Sequence, residues 1–225
     1  VHAPELFAGS KLMDLATPDE AYRRESIRET QRVIDITRNL KRFFPNSQRP
    51  PIVANIGGFT MDAPLPASQI NGYYKRFAES LAELDTEGVE LIPQTMAPFP
   101  WHFGGQRYQN IFVKADEIVE WCSKLNMRMC FDTSHTRLTC NHFGLDFYEF
   151  AEKIAPHSVH LHLGDARGLN GEGLQVGEGE IDFLRLGEIL KRGCPAATFI
   201  PEIWQGHKNG GEGFWVALER LEGTL

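Results

Sequence analysis

Cysteine is scarce in this chain: four in 225 residues, Cys122, Cys130, Cys140 and Cys194, with no CxxC pair among them. That excludes a dense disulfide framework, and the four read as reduced thiols of a cytoplasmic protein. No run of eighteen apolar residues occurs, so no helix of the sequence is expected to span a membrane. No charged-then-apolar leader opens it, so nothing there marks it for secretion. Excess positive charge is also missing. The balance of 23 Lys and Arg against 30 Asp and Glu gives a net charge of −7, which argues against a general nucleic-acid binder. No GxGxxG follows the first apolar segment, and the comparable glycines, Gly171-Glu172-Gly173 and Gly177-Glu178-Gly179, carry acids where a phosphate would sit. The first residue is Val1 rather than Met, already within an apolar segment, and the sequence reads as a fragment.

What is present is an alternation. Six short β-rich segments recur at Val1–Pro4, Pro51–Asn55, Gly88–Gln94, Met127–Asp132, Ser158–Leu163 and Ala197–Glu202. Segments of helical period lie between them. Thr17-Pro18-Asp19-Glu20 combines a candidate N-cap (Thr17), a proline at the first helical position and a glutamate three residues after the cap. Ile27, Ile34, Leu40 and Phe44 are expected to line the buried side of that helix. Ile70, Tyr73, Tyr74, Phe77, Leu81 and Leu84 repeat at helical spacing before Gly88, and further helices are expected over 110–125, 146–154, 181–192 and 213–222. Arg23, Arg24 and Arg28 read as one solvated, mixed-charge face. Strict alternation implies an α/β fold with a parallel sheet. No linker divides the chain, so 1–225 reads as one domain.

Polar residues close five of these segments, namely His2, Asn55, Gln94, Asp132 and Glu202, and His162 lies within the sixth. From Asn55 onward they are 39, 38, 30 and 40 residues apart, each about one βα unit. Polar groups at strand C-termini mark the active face of a TIM-type (β/α)8 barrel. Six units suggest such a barrel lacking its first two strands.

Three features carry chemistry. Asp132-Thr133-Ser134-His135 follows an apolar strand. His160-Leu161-His162 places two histidines on one strand face. Glu202 ends an apolar run, where a lone charge is costly unless paired or ligated. One Asp, one His and one Glu converging at a barrel mouth make a mixed oxygen and nitrogen shell for a single divalent ion. Mn²⁺ is the expected ion, with Mg²⁺, Co²⁺ or Zn²⁺ as alternatives.

Asp132-Thr-Ser-His135, His162-x-x-Asp165, Gly177-Glu-Gly179-Glu-Ile181 and Glu202 together resemble the xylose-isomerase-like barrel superfamily. That superfamily contains sugar and sugar-phosphate isomerases and epimerases, inosose dehydratases and endonucleases of the endonuclease IV type. The resemblance implies Asp132, His162 and Glu202 as metal ligands, with Gln94 where the family normally has a fourth, glutamate ligand. It implies His135 and Arg167 as substrate-contacting catalytic groups beside Glu202. Gln94 is neutral and cannot act as a base, so symmetric two-glutamate epimerisation is disfavoured. Proton abstraction from one face, through a cation-stabilised enediolate, survives that loss.

The endonucleases use three metals, and some of their ligands are replaced here by Asn55 and by Gly171-Glu172-Gly173, so a nuclease is disfavoured. The expectation is therefore a metal-dependent sugar or sugar-phosphate isomerase or epimerase acting on a small sugar or polyol. A lyase of the inosose-dehydratase kind, or a binding barrel without catalysis, is the alternative. Nucleic acid and membrane are not expected partners, and self-assembly is left open. The loop Pro98–Arg107 would act as a lid, with Trp101 stacking on sugar and His102 and Arg107 as polar contacts; Glu172 is a further candidate contact, and a solvated turn acid otherwise.

Overall fold

The structure is a computed structural model that describes residues 1–7, 9, 11–102 and 105–224, with only the backbone of Trp101 and His102. The expected side-chain roles of Trp101 and His102 therefore lie outside the described residues. The chain divides into two compact units, Val1–Gln94 with Pro100–Ile111, and Thr95–Phe99 with Phe112–Leu225. No described helix is long and apolar enough to cross a membrane.

In the first unit the elements are α1 (Glu20–Leu40), β1 (Pro51–Ala54), β2 (Phe59–Thr60), α2 (Ala67–Ala82), β3 (Glu90–Pro93), β4 (Trp101–His102), β5 (Gly105–Gln106) and β6 (Tyr108–Gln109). β1 and β3 pair in parallel, with Ile52 opposite Leu91. The N-terminal segment lies along the other edge of β1, where the Ala3 N–H donates to the Val53 carbonyl at 2.8 Å. Nearly continuous burial of both strands explains their unbroken apolar runs.

The cap of α1 is Asp19 rather than Thr17. The Asp19 carboxylate accepts the Tyr22 N–H at 3.0 Å, while Thr17 Oγ1 takes the Asp19 N–H at 3.2 Å, so the helix starts one step later. Its buried side runs through Arg23, Ser26, Ile27, Thr30, Ile34 and Thr37. Leu40 and Phe44 are exposed, because the helix gives way to a 3₁₀ turn at Lys41–Phe43 and the stripe rotates off the core. Arg23 also departs from the expected solvated face. It is buried and donates to Glu20, to Ser80 of α2 and to Glu83, so its charge is fully engaged. Arg24 and Arg28 remain exposed.

The second unit holds α3 (Ala115–Leu125), β7 (Met129–Asp132), α4 (Thr133–Phe143), α5 (Phe147–Ile154), β8 (Ser158–Leu163), β9 (Asp165–Arg167), β10 (Gly171–Leu174), α6 (Phe183–Gly193), β11 (Thr198–Pro201) and α7 (Lys208–Leu221). β7, β8 and β11 form a parallel sheet with β8 in the centre. Asp132 lies opposite His162, and His162 opposite Ile200.

Two helices in succession, α4 and α5, break the strict alternation expected between β7 and β8. α4 was invisible to hydrophobic periodicity because its buried side is hydroxylic. Thr133, Ser134, Thr136 and Thr139 are all buried, and Thr139 Oγ1 donates to the Met96 carbonyl at 2.9 Å. β11 is an edge strand exposed along most of its length rather than a buried one, with Phe199 and Ile200 open to solvent. β9 and β10 form a short antiparallel hairpin after β8. The four cysteines are buried and unbridged.

Candidate metal centre

Asp132 ends β7 and caps α4 in the same residue. Its Oδ1 accepts the His135 N–H at 2.9 Å, which satisfies a helix N-terminus and turns Oδ2 toward the histidines. His135 Nδ1 lies 3.2 Å from that Oδ2, and His162 Nδ1 3.7 Å from it. His162, one strand over on β8, also brings Nδ1 to 2.6 Å from Oε2 of Glu202, the residue that follows β11. Asp132, His162 and Glu202 each offer one ligand atom, and the three atoms lie within 4.8 Å of one another. Parallel register on three neighbouring strands causes this: 132, 162 and 202 all stand at strand C-termini.

Two carboxylates and one imidazole fit a divalent ion that accepts mixed oxygen and nitrogen donors. The charges around them fit as well. Burial by itself would raise the Asp132 carboxyl, but His135 and His162 hold it below the ordinary carboxylate range. Burial would likewise lower His162, yet Asp132, Cys130 and Glu202 hold its imidazole up to about 12. The site thus stores protons on imidazole that a cation would displace.

The residues around these donors are tied together by hydrogen bonds. The Asp132 N–H donates to Thr95 Oγ1 at 2.9 Å, and His135 Nδ1 donates to the Thr95 carbonyl at 3.0 Å. Thr133 Oγ1 donates to the Gly164 carbonyl at 2.7 Å and accepts the Gly164 N–H at 3.1 Å, tying β7 to the end of β8. Sequence reasoning missed Thr95 and Thr133; the available signal was a hydroxyl residue directly after each polar strand end.

His135 and Glu172 are brought into this constellation: His135 Nε2 stands 3.1 Å from Glu172 Oε1 on β10. Burial opposes a charge on His135, but Asp132, Glu172 and Glu202 raise it well above the usual histidine range. Arg167 is directed elsewhere, its Nη2 donating to the Glu178 carbonyl at 2.6 Å. Glu178 pairs with Arg220. His160 donates or accepts at Thr198 Oγ1 over 2.7 Å, beside rather than within the triad.

The Gly177–Ile181 motif has a structural task. The fully buried Asp165 carboxylate accepts the N–H groups of Ala166, Gly177, Gly179, Glu180 and Ile181. A side chain at Gly179 would collide with that carboxylate, which explains the glycine.

Gln94 and Arg107 belong to the other unit. Gln94 is buried just beyond β3, with His2 Nε2 3.3 Å from its Oε1. Arg107 is half-buried and Nη1 donates to the Gln106 carbonyl at 3.2 Å.

The sequence pattern of xylose isomerase-like TIM barrels matches residues 1–221. The chain belongs to that family. A D-tagatose 3-epimerase-like protein superposes with a TM-score of 0.72 at 19% identity, covering 99% of this chain and 76% of that one. An L-ribulose 3-epimerase gives 0.66 at 14% identity, over 94% and 70% of the two chains. A family member from Mycobacterium smegmatis, solved in complex with magnesium, gives 0.60 at 13% identity, over 94% and 72%. At these identities the likeness is one of fold. An uncharacterized protein of Methanocaldococcus jannaschii is 33% identical over 75 residues, which is 33% of this chain and 25% of that protein's length.

Proposed function

We propose that the chain carries a divalent-metal-dependent sugar or sugar-phosphate isomerase or epimerase, with Asp132, His162 and Glu202 as its metal ligands. The observation that carries this reading is the convergence of those three donors within 4.8 Å at the ends of adjacent parallel strands. The family membership and the 3-epimerases among its structural neighbours support a sugar as substrate.

When bound, a divalent cation supplies Lewis-acid polarisation of a substrate carbonyl. Asp132 and His162 are buried and hold position, while the Glu202 side chain is about half exposed and can reach a substrate. Glu202 is therefore the group that takes a proton from the carbon beside the carbonyl. His135 is buried between Asp132 and Glu172, its Nε2 3.1 Å from Glu172 Oε1, and it holds the half-exposed Glu172 carboxylate beside the three donors, where that carboxylate can reach a substrate hydroxyl.

The test is a turnover screen of the Mn²⁺- or Mg²⁺-loaded protein on ketoses, ketose phosphates and inososes, followed by NMR in D₂O. Deuterium entering beside the carbonyl, with an isomeric sugar as product, is the expected result. Loss of water from an inosose would favour a lyase, and inertness toward all three classes overturns the reading.

A further inference from the structure

Asp132 and His162 have a second polar row beside them, one step earlier along the same strands. Side chains alternate along a strand, so Cys130 shares a face with Asp132, His160 with His162 and Thr198 with Ile200. The register sets Cys130 opposite His160 and His160 opposite Thr198, just as it sets Asp132 opposite His162. His160 Nδ1 lies 2.7 Å from Thr198 Oγ1. The His160 ring stands at 85° to the His162 ring, with centroids 5.3 Å apart. Among the described residues the three-donor group is Asp132, His162 and Glu202, so His160 adjoins the donors without being one.

An imidazole ligand works only at the rotation that keeps its donor nitrogen on the cation. In His162 that nitrogen is Nδ1, 2.6 Å from Glu202 Oε2 and 3.7 Å from Asp132 Oδ2. Rotation of a histidine ring about its Cβ–Cγ bond is broad and roughly two-fold, so the backbone alone does not select one setting. Two neighbours from the earlier row do. The fully buried Cys130 thiol hydrogen-bonds the His162 imidazole. His160 meets the same ring in the perpendicular arrangement that flat π-systems favour. Its own ring is tied to the Thr198 hydroxyl, so a brace runs from β11 through His160 to the candidate ligand on β8.

We propose that His160 is a positioning residue for the metal centre: braced by Thr198, its ring fixes the rotation of His162 and keeps Nδ1 turned toward Asp132 and Glu202. The inference rests on the reading of Asp132, His162 and Glu202 as metal ligands, and adds the group that pre-organises one of them. Without the brace His162 keeps its nitrogen but spends time at rotations that aim it away from the cation. Apparent affinity then falls in proportion to the fraction of molecules that remain correctly set. What the contact requires of residue 160 is a flat ring at that spacing, not a second ligand nitrogen. A phenyl ring there preserves the function, and a methyl group does not.

The experiment is Mn²⁺ titration calorimetry on the full chain, with urea midpoints measured alongside so that lost folding is not scored as lost binding. His160→Ala should weaken Mn²⁺ binding by about 10–100-fold, the scale of losses just beyond the direct ligands. His160→Phe should recover most of that loss. Thr198→Val, which leaves His160 in place without its anchor, should weaken binding less than His160→Ala does. It should also shift the visible absorption bands of the Co²⁺-loaded protein, which report ligand geometry. A folded His160→Ala that binds Mn²⁺ as tightly as the parent would overturn the assignment and leave the ligand reading standing. A folded His160→Phe that binds as weakly as His160→Ala would do the same. Should His160→Ala fail to fold, Thr198→Val decides: unchanged affinity together with unchanged Co²⁺ bands overturns the assignment. A parent that binds no Mn²⁺, or an Asp132→Ala variant that binds it as tightly as the parent, overturns the ligand reading and the assignment with it.

Discussion

Asp14 in the first unit and Asp132 in the second are equally shut off from water, 3% and 2% exposed, and both accept backbone N–H bonds. Their charges are handled oppositely. Asp14 Oδ1 receives the N–H groups of Gly58 at 2.9 Å and Ala16 at 3.0 Å, but burial outweighs these bonds and pushes its carboxyl up to about 7. Asp132 faces two imidazoles, which hold it ionised below the ordinary range in spite of burial. Burial alone therefore does not fix the charge state of a carboxylate; the charge of the neighbours does. Asp14 ties the loop before α1 to the turn after β1, whereas Asp132 presents a permanent negative charge that two histidines and a cation can share.

The largest expected effect tests the Asp132 side of that contrast. Asp132→Ala removes the carboxylate that His135 and His162 both face, and breaking a buried charge pair costs about 3–5 kcal/mol. Mn²⁺ affinity measured by titration calorimetry should fall by roughly 10²–10³-fold. Unchanged affinity would remove Asp132 from the ligand set.

The Asp14 side predicts a pH dependence. Its folded-state value lies above the ordinary 3.8, so the folded protein binds the proton more tightly than the unfolded chain. Stability from this group is complete at low pH and is lost as pH rises through about 7. At about 1.4 kcal/mol per unit, the loss between pH 4 and 8 is at most about 4 kcal/mol. Urea midpoints should show the wild type falling over this range relative to Asp14→Asn, which carries no such proton. Parallel curves for the two proteins would break the contrast.

A third effect is smaller per pH unit. His162 must lose its proton to become a ligand, and its imidazole is held up to about 12. Metal affinity should therefore rise with pH, by up to about tenfold per unit. Calorimetry in buffers of different ionisation enthalpy should register proton release on Mn²⁺ binding. No proton release would mean that His162 is already neutral.

The smallest effect concerns Thr95, whose hydroxyl accepts the Asp132 N–H. Thr95→Val should cost about 1 kcal/mol of stability, read as a urea midpoint. It should weaken metal binding by about tenfold, as losses beyond the direct ligands commonly do.

Legibility in the sequence followed the same division. The five β-rich segments from Pro51 onward stand where periodicity put them, because each alternates with a helix whose apolar stripe or cap is local. Helix α4 was missed because its buried groups are threonines and serine, which satisfy backbone rather than bury hydrocarbon. The exposed face of β11 could not be read from its apolar run, since composition does not say whether a strand lies at a sheet edge. Arg23 looked like its neighbour Arg24, and only the approach of Ser80 and Glu83 separates them.

The sequence by itself determined the α/β alternation, the acidic balance and the polar residues at the strand ends. A charge closing an apolar strand singled out Glu202, and the family resemblance of its motifs added Asp132 and His162 as the expected ligands. Tertiary structure decided which of the other candidates join them. Parallel register brings residues 30 and 40 positions apart into one cluster, a pinned glycine carries Glu172 to His135, and Arg167 is turned toward a carbonyl of its own loop. Side-chain period is a property of one segment, whereas convergence depends on strand order and backbone close approach between segments, which no local pattern encodes.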